Sequence, residues 1–236
     1  MADTPEKSGS SICVVIPAAG SGTRLGESVP KAFVDVDGRT IIERCVDNVP
    51  RSLGASVVVV VPADMIDRAR HLLPGDVVVV AGGAHRSESV RAGIAAAGDA
   101  EIILVHDAAR PLTPAAVFTR VVDALRSGHD AVVPGLPVAD TLKSVTPGDT
   151  PGLERVAANV DREPLRAVQT PQGFTREALL AAHADASGLA TDDAGLAERV
   201  GVDVHVVAGS PHAMKITTPW DLAIVRHLLS SGGQKP

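Results

Sequence analysis

The sequence predicts an α/β protein built on a mostly parallel sheet flanked by helices. Short runs of Val, Ile and Leu recur along the chain, and each is followed by a stretch with apolar residues at helical spacing. Hydrophobic residues make up 45% of the 236 positions, yet aromatics make up only 2% and Tyr is absent. A core made of Val, Ile, Leu and Ala suits strands that helices cover on both faces.

The elements follow in order. Ile12 to Ile16 reads as the first strand, Ser56 to Val61 and Asp76 to Val80 as the second and third, Glu101 to Val105 as the fourth and Ala131 to Val133 as the fifth. Helices are expected at Thr40 to Val49, Ala63 to Leu73, Ser87 to Ala97 and Pro114 to Arg126. Strands that alternate with such helices imply right-handed βαβ units. The alternation breaks after Pro134. Between Gly135 and Arg162 the chain carries several Pro and Gly, with Leu142 to Val145 and Leu153 to Val156 reading as a hairpin about a turn at Pro147 to Pro151. This hairpin is too small for a core of its own, so it packs on the parent domain or on another subunit. Helices return at Thr175 to Ala186, Asp192 to Val200 and Thr218 to Leu229, with a late strand at Val204 to Val207. The reading is a single domain over residues 12–229 with an arm at residues 135–160.

Composition excludes several classes. A net charge of −6 argues against a generic nucleic-acid binder, and few aromatics leave few platforms for stacking single strands. Cys13 and Cys45 fall in apolar patterns and read as reduced core residues, with no disulfide framework. The first eleven residues hold no apolar signal segment, and the longest apolar run, Val57 to Val61, is far too short to cross a membrane. A cytoplasmic protein is expected. The eight histidines show no metal-site spacing, so no protein metal centre is expected, and His106 reads as structural.

The most informative stretch is Pro17-Ala18-Ala19-Gly20-Ser21-Gly22-Thr23-Arg24-Leu25-Gly26, followed by Pro30-Lys31. It begins where the first strand ends, at the carboxyl edge where open α/β sheets bind ligands. Small residues let the backbone approach an anion, and Gly20 and Gly22 permit dihedrals that aim successive N–H groups at one point. Arg24 and Lys31 add full charges there. A Walker A motif is absent, and Gly20, Gly22 and Gly26 miss the dinucleotide G-x-G-x-x-G spacing by one residue. The segment also continues through Ser28, Pro30 and Gly38 instead of entering a helix, so it is expected to wrap a ligand.

This loop resembles the nucleotide-binding signature of sugar-phosphate nucleotidyltransferases. Further segments narrow the likeness: Gly82-Gly83 with Arg86 and Ser89-Val90, Val105-His106-Asp107-Ala108-Ala109-Arg110-Pro111, Asp140-Thr141-Leu142-Lys143, Asp161-Arg162, Gln169-Thr170-Pro171-Gln172-Gly173-Phe174, Thr191-Asp192-Asp193-Ala194 and Lys215-Ile216-Thr217. Together, collinear over about residues 12–228, they resemble the 2-C-methyl-D-erythritol 4-phosphate cytidylyltransferase family of the non-mevalonate isoprenoid pathway. The resemblance implies a Rossmann-like nucleotidyltransferase sheet with a protruding β-hairpin arm. It also implies a reaction in which the acceptor's phosphate attacks the α-phosphorus of CTP and pyrophosphate leaves. One departure stands out: the family often has an acidic residue just before the arginine of the Gly-Gly-x-x-Arg segment, where this chain has His85.

Carried over position by position, the resemblance implies that Pro17 to Thr23, Arg24, Lys31, Gly82, Gly83, Ser89, Asp107 and Ala108 bind CTP. Asp107, Arg110, Thr141, Arg162, Thr170, Thr191 and Lys215 are implied at the acceptor. Arg24, Lys31, Arg162 and Lys215 carry the charge chemistry. Each has a plainer reading: loop cations are usually solvated, Asp107 suits a turn, and Thr191 suits a helix N-cap. The chemistry needs no general base, because a phosphomonoester is already largely ionised at neutral pH. It needs neutralisation of two polyanions and in-line positioning, with Mg2+ held mainly by the CTP phosphates. The resemblance further implies a homodimer in which the arm reaches over its partner, so that Arg162 serves the partner's acceptor site. Two rival activities are transfer to another polyol phosphate such as ribitol 5-phosphate and a nicotinamide-dependent oxidoreduction. A third reading, a regulator that only binds nucleotide, gives no reason to keep Arg24, Lys31, Arg162 and Lys215 together.

Overall fold

A computed structural model describes residues 11–20, 29–184 and 192–231. The carboxyl edge of a twisted sheet gathers the ends of strands far apart in sequence. Strand β1 (Ile12–Pro17) lies at its centre, with β4 (Ser56–Val61) and then β5 (Val78–Ala81) on one side and β6 (Ile102–Val105) on the other, all parallel. Strand order therefore reverses at β1, and a cleft opens there. Beyond β6 lie β11 (Gln172–Thr175) and β7 (Ala131–Pro137), with β12 (Val204–Ala208) parallel to β7 at the edge. β10 (Arg166–Val168) pairs with the far end of β7 and runs in line with β11, interrupted at Gln169–Pro171, where the Thr170–Pro171 peptide is cis.

Strand alternation sets the two layers of the core. Ile12, Val14 and Ile16 point to one face, against Ile42 of α1 (Ile41–Asp47) and Phe118 of α4 (Ala115–Arg126). Cys13 and Val15 point to the other, against Val90 and Ile94 of α3 (Arg86–Ala96) and Leu179 of α5 (Arg176–Ala184). Both cysteines are free and buried, as the sequence implied. α3 lies so close to the sheet that a Cβ on Gly93 would sit 2.2 Å from Val15 Cγ1, so only Gly fits there.

Helix starts obey local chemistry. Thr40 and Glu43 cap α1 reciprocally, with Thr40 N donating to Glu43 Oε2 at 2.8 Å. Thr218 and Asp221 do the same for α7 (Pro219–Ser230), which packs on the small hairpin of β2 (Asp35–Val36) and β3 (Arg39–Thr40). Asp192 caps α6 (Asp193–Arg199) through Gly195 N at 3.0 Å.

Several expectations need correction. The third strand spans Val78–Ala81, later than Asp76 to Val80, because Pro74 to Asp76 turn the chain first. The helix expected at Ala63 to Leu73 is a 3-10 turn at Ala63–Met65 followed by α2 (Ile66–Leu72). The fifth strand runs on through Pro134 to Pro137, which β10 and β12 flank at its outer end. β10 and β11 were not expected as strands, and they alone run against the rest of the main sheet. The arm strands are longer than expected, β8 (Leu142–Pro147) and β9 (Glu154–Val160). Every residue of β9 is exposed, and Val145, Leu153 and Val156 stand 45%, 61% and 56% open to solvent.

Candidate active site

The cleft at the strand-order reversal has a volume of about 320 Å³. Its walls come from Pro17 to Gly20 after β1, Lys31 and Ala32, Gly83 to Arg86 with Ser89 at the start of α3, Asp107 to Ala109 after β6, and Lys215. The segments that leave β1, β5 and β6 are held by continuations of the ladder beneath them. Ala18 N donates to Val60 O at 2.7 Å, Gly82 N to Val61 O at 2.8 Å and His106 N to Val15 O at 2.9 Å. Main chain next to the cleft thus keeps sheet rigidity where its side chains turn toward a ligand.

Gly82 lies just behind the wall. A Cβ there would fall 2.6 Å from Ser89 Oγ and 2.7 Å from Ala19 Cβ. The three residues touch through this one gap, which ties the loop after β1 to the first turn of α3. Ser89 is almost fully buried and donates to His85 O at 3.3 Å. His85 is the residue before α3, and its side chain makes no cap bond. Glu88 holds the turn instead, its Oε2 accepting from His85 N at 3.2 Å.

Asp107 is the anionic centre of the wall, its side chain 13% exposed. Lys215 Nζ lies 2.8 Å from its Oδ2, Arg86 Nη2 lies 3.6 Å from its Oδ1, and Arg110 Nε lies 3.9 Å from Oδ2. Burial pushes this carboxyl up, but Lys215, Arg86 and Arg110 outweigh it and hold it down at about 2. Asp107 is therefore an anion at any working pH. Lys215 reaches it because Ile216 N donates to Ala109 O at 2.9 Å and Arg110 Nη1 donates to Ala213 O, which pins residues 213–216 against the loop after β6.

Two residues expected at the acceptor lie buried beside Asp107, outside the cleft lining. Thr170 is 4% exposed; its Oγ1 accepts from Asp107 N at 3.0 Å and pairs with His106 Nδ1 at 2.9 Å. Arg110 is 9% exposed and outside the cleft lining, committed to Ala213 O and Asp107. Both hold Asp107 in place from behind. His106 is structural, as its context implied. It is wholly buried, its ring centroid is 4.9 Å from that of Phe118, and burial drives it down to about 4, so it is neutral.

Lys31 opens a 3-10 turn, Lys31–Phe33, and lines the cleft as expected. Ser21, Gly22, Thr23, Arg24 and Thr191 lie outside the described residues. Thr141 and Arg162 are exposed on the arm and do not line the cleft of their own chain. Arg162 Nη1 donates to Ala139 O at the arm's root. Arg86, which the resemblance assigns to neither substrate, follows the Gly-Gly-x-x-Arg spacing. That spacing places it on the first turn of α3, and the structure turns it into the cleft.

No three His, Cys, Asp or Glu side chains gather to hold a metal ion among the described residues. Asp107, the one carboxylate of the cleft among the described residues, is engaged by Lys215 and Arg86. A magnesium ion here would take most of its oxygens from substrate phosphates, with Asp107 the carboxylate in reach among the described residues. No helix among the described residues is long and apolar enough to cross a membrane.

The model of the family 2-C-methyl-D-erythritol 4-phosphate cytidylyltransferase (IspD) matches residues 12–231. The chain belongs to this family. It is 53% identical over 222 residues to the 2-C-methyl-D-erythritol 4-phosphate cytidylyltransferase of Rhodococcus jostii, covering 94% of this chain and 96% of that one. The protein of the same name from Nocardia farcinica is 55% identical, with 93% and 94% covered. Among solved structures, that of the Thermus thermophilus cytidylyltransferase superposes with a TM-score of 0.76 at 36% identity, covering 93% of this chain and 99% of that one. The Anaerococcus prevotii 4-diphosphocytidyl-2C-methyl-D-erythritol synthase gives 0.80 at 28% identity, with 94% and 97% covered. The sheet is thus the Rossmann-like nucleotidyltransferase sheet of this family, and the chain is a nucleotidyltransferase enzyme. Within it, the segments after β1, before α3 and after β6 meet Lys31 and Lys215 at one cleft, whereas Thr141 and Arg162 lie on the arm and Gln169 to Phe174 and Asp192 to Ala194 lie outside the cleft lining.

Proposed function

We propose that the cleft binds CTP and transfers its cytidylyl group to 2-C-methyl-D-erythritol 4-phosphate, giving 4-diphosphocytidyl-2-C-methyl-D-erythritol and pyrophosphate for isoprenoid precursor biosynthesis. The observation that carries this reading is the convergence of the segments after β1, before α3 and after β6 with Lys31 and Lys215 around one cavity, in a chain of this family. The wall at Gly83 to Ser89 suits the base, because closely packed backbone leaves little room for a purine. Asp107 and Ala108 suit the ribose. Lys31, with Arg24, stabilises charge on the α-phosphate as the acceptor phosphate attacks in line. Losing one such preorganised contact typically costs about 10²- to 10³-fold in turnover. Bound magnesium supplies further charge neutralisation on the phosphate oxygens.

The acceptor's phosphate needs its own cations, and Lys215 is in the cleft while Arg162 is not. A homodimer resolves this, with the arm of one chain lying over the cleft of the other and bringing Thr141 and Arg162 with it. The exposed Val145 of β8, Val156 and Val160 of β9 and Leu153 of the turn between them support this reading, since a bare apolar arm asks for a partner. Substrate chemistry of this kind fits the cytoplasm. Transfer to ribitol 5-phosphate is disfavoured by the family match over residues 12–231.

The test is pyrophosphate release by the purified protein with CTP and a panel of acceptors. Turnover with 2-C-methyl-D-erythritol 4-phosphate well above that with ribitol 5-phosphate supports the reading. The reverse preference would replace the acceptor, and no turnover with any of them would end it.

A further inference from the structure

Arg86 is held in the cleft wall from behind. Its Nη2 lies 2.8 Å from Asp193 Oδ2 and 3.6 Å from Asp107 Oδ1, so one guanidinium edge stands between two carboxylates and is committed to the deeper one. Asp193 is 0% exposed, the first residue of α6, and its second oxygen is taken by His183 Nε2 of α5 at 3.0 Å. Its place is fixed independently. Gln172 of β11 donates to Asp192 Oδ2 at 2.7 Å and accepts from Ala194 N at 3.1 Å, which bolts the start of α6 to the sheet on both sides of Asp193. A buried carboxylate so anchored is expensive to desolvate and would be poorly placed without a cationic partner. That partner is Arg86, the one cation on α3 that reaches the cleft.

The arrangement has a direct consequence for the ligand. Without Asp193, only the weaker attraction of Asp192 opposes the pull of Asp107, and the Arg86 head would close the 3.6 Å gap toward hydrogen-bonding distance. It would then compete with Lys215, which occupies the other oxygen of Asp107 at 2.8 Å. With Asp193 in place, Arg86 stays against the wall beside Gly83 to His85, and Nε and Nη1 make no hydrogen bond to any other described residue. Those donors remain for an anionic or carbonyl-bearing group in the cleft.

We propose that Asp193, oriented by His183, is a positioning residue for nucleotide binding: it holds Arg86 in the cleft wall so that the guanidinium meets CTP. Neither Asp193 nor His183 touches the nucleotide. The proposal rests on the reading of this cleft as a CTP site, and its test separates the two.

The experiment is a double-mutant cycle on CTP affinity, by isothermal titration of the full-length protein without acceptor. Arg86→Ala and the isosteric Asp193→Asn should each weaken CTP binding about tenfold, the loss of one charge-assisted hydrogen bond. The pair together should be no weaker than Arg86→Ala alone, because Asp193 acts through Arg86. In steady-state assays the loss should appear in KM for CTP, with kcat at saturation kept within about threefold, as expected when ground and transition states lose the same contact. If Asp193→Asn does not fold, His183→Gln gives the same answer. It leaves the carboxylate charged, should weaken CTP binding by a few-fold, and should have no effect in the Arg86→Ala background. Additive losses, or unchanged CTP affinity in the Asp193 and His183 variants, would overturn the positioning role while leaving the CTP site intact. A native protein that does not bind CTP would overturn both.

Discussion

Gly82→Ala tests the construction of the cleft most sharply. The added Cβ would stand 2.6 Å from Ser89 Oγ, 2.7 Å from Ala19 Cβ and 3.1 Å from Val60 Cγ1. Non-bonded carbons prefer about 3.5–4.0 Å, so the loop after β1 and the first turn of α3 must part by about 1 Å. Ala19 has no rotamer to escape into, and Ser89 is 2% exposed with its hydroxyl donating to His85 O. Overpacking of this kind costs roughly 1–3 kcal/mol of stability. The functional cost is larger in proportion, since both displaced residues line the cleft, and a misplacement of about 1 Å can cost on the order of 10²-fold in rate. Titration with CTP should therefore show affinity reduced at least about tenfold, alongside an earlier urea midpoint, if contact geometry governs binding. Adding Ala19→Gly removes one of the two tight contacts and should recover part of both losses. CTP affinity unchanged in Gly82→Ala would refute the claim that this gap sets the width of the site.

Lys31→Ala should lower kcat and kcat/KM together by about 10²- to 10³-fold; a variant with near-normal kcat and only a raised KM for CTP would remove its transition-state role. Turnover with ATP or GTP should be far below that with CTP, and comparable rates would show that Gly83 to Ser89 do not form the base wall. Stability should fall as the pH drops from about 6.5, the ordinary value of a histidine in the unfolded chain, to about 4, where burial holds His106 in the folded state, because the unfolded chain binds the extra proton in that window. The gap corresponds to ~3 kcal/mol, and urea unfolding of His106→Asn should lack this part of the slope; identical slopes in the two proteins would contradict it. Mixing Arg162→Ala and Lys215→Ala chains should restore activity if the arm completes the partner's site. Proven subunit exchange without recovery, or a monomer at assay concentration, would refute the shared site.

The sequence by itself determined the repeating strand–helix order, the cleft edge where β1 ends, and the family. These are local properties: a strand buried on both faces must be a Val and Ile run, helices begin at Thr40 and Thr218, which cap them, and small residues in a loop declare a close approach, whereas the cap read at Thr191 is Asp192 in the fold. Tertiary structure alone decided which polar residues face the ligand. Arg110 stands in the same motif as Asp107 and Thr170 in another segment of the resemblance, yet both lie buried outside the cleft lining, against Asp107. β11 escaped the periodicity because Gln172-Gly173-Phe174 is a short strand whose middle residue must be bare. A Cβ on Gly173 would meet Val121 Cγ1 at 2.5 Å, a requirement set by α4 from elsewhere in the chain. The Arg86–Asp193–His183 series was equally hidden, since its members are brought together only when α5 and α6 fold against the sheet beside α3. Spacing along a chain reports which face a residue takes within its own element; which partner that face meets is fixed by packing between elements distant in sequence.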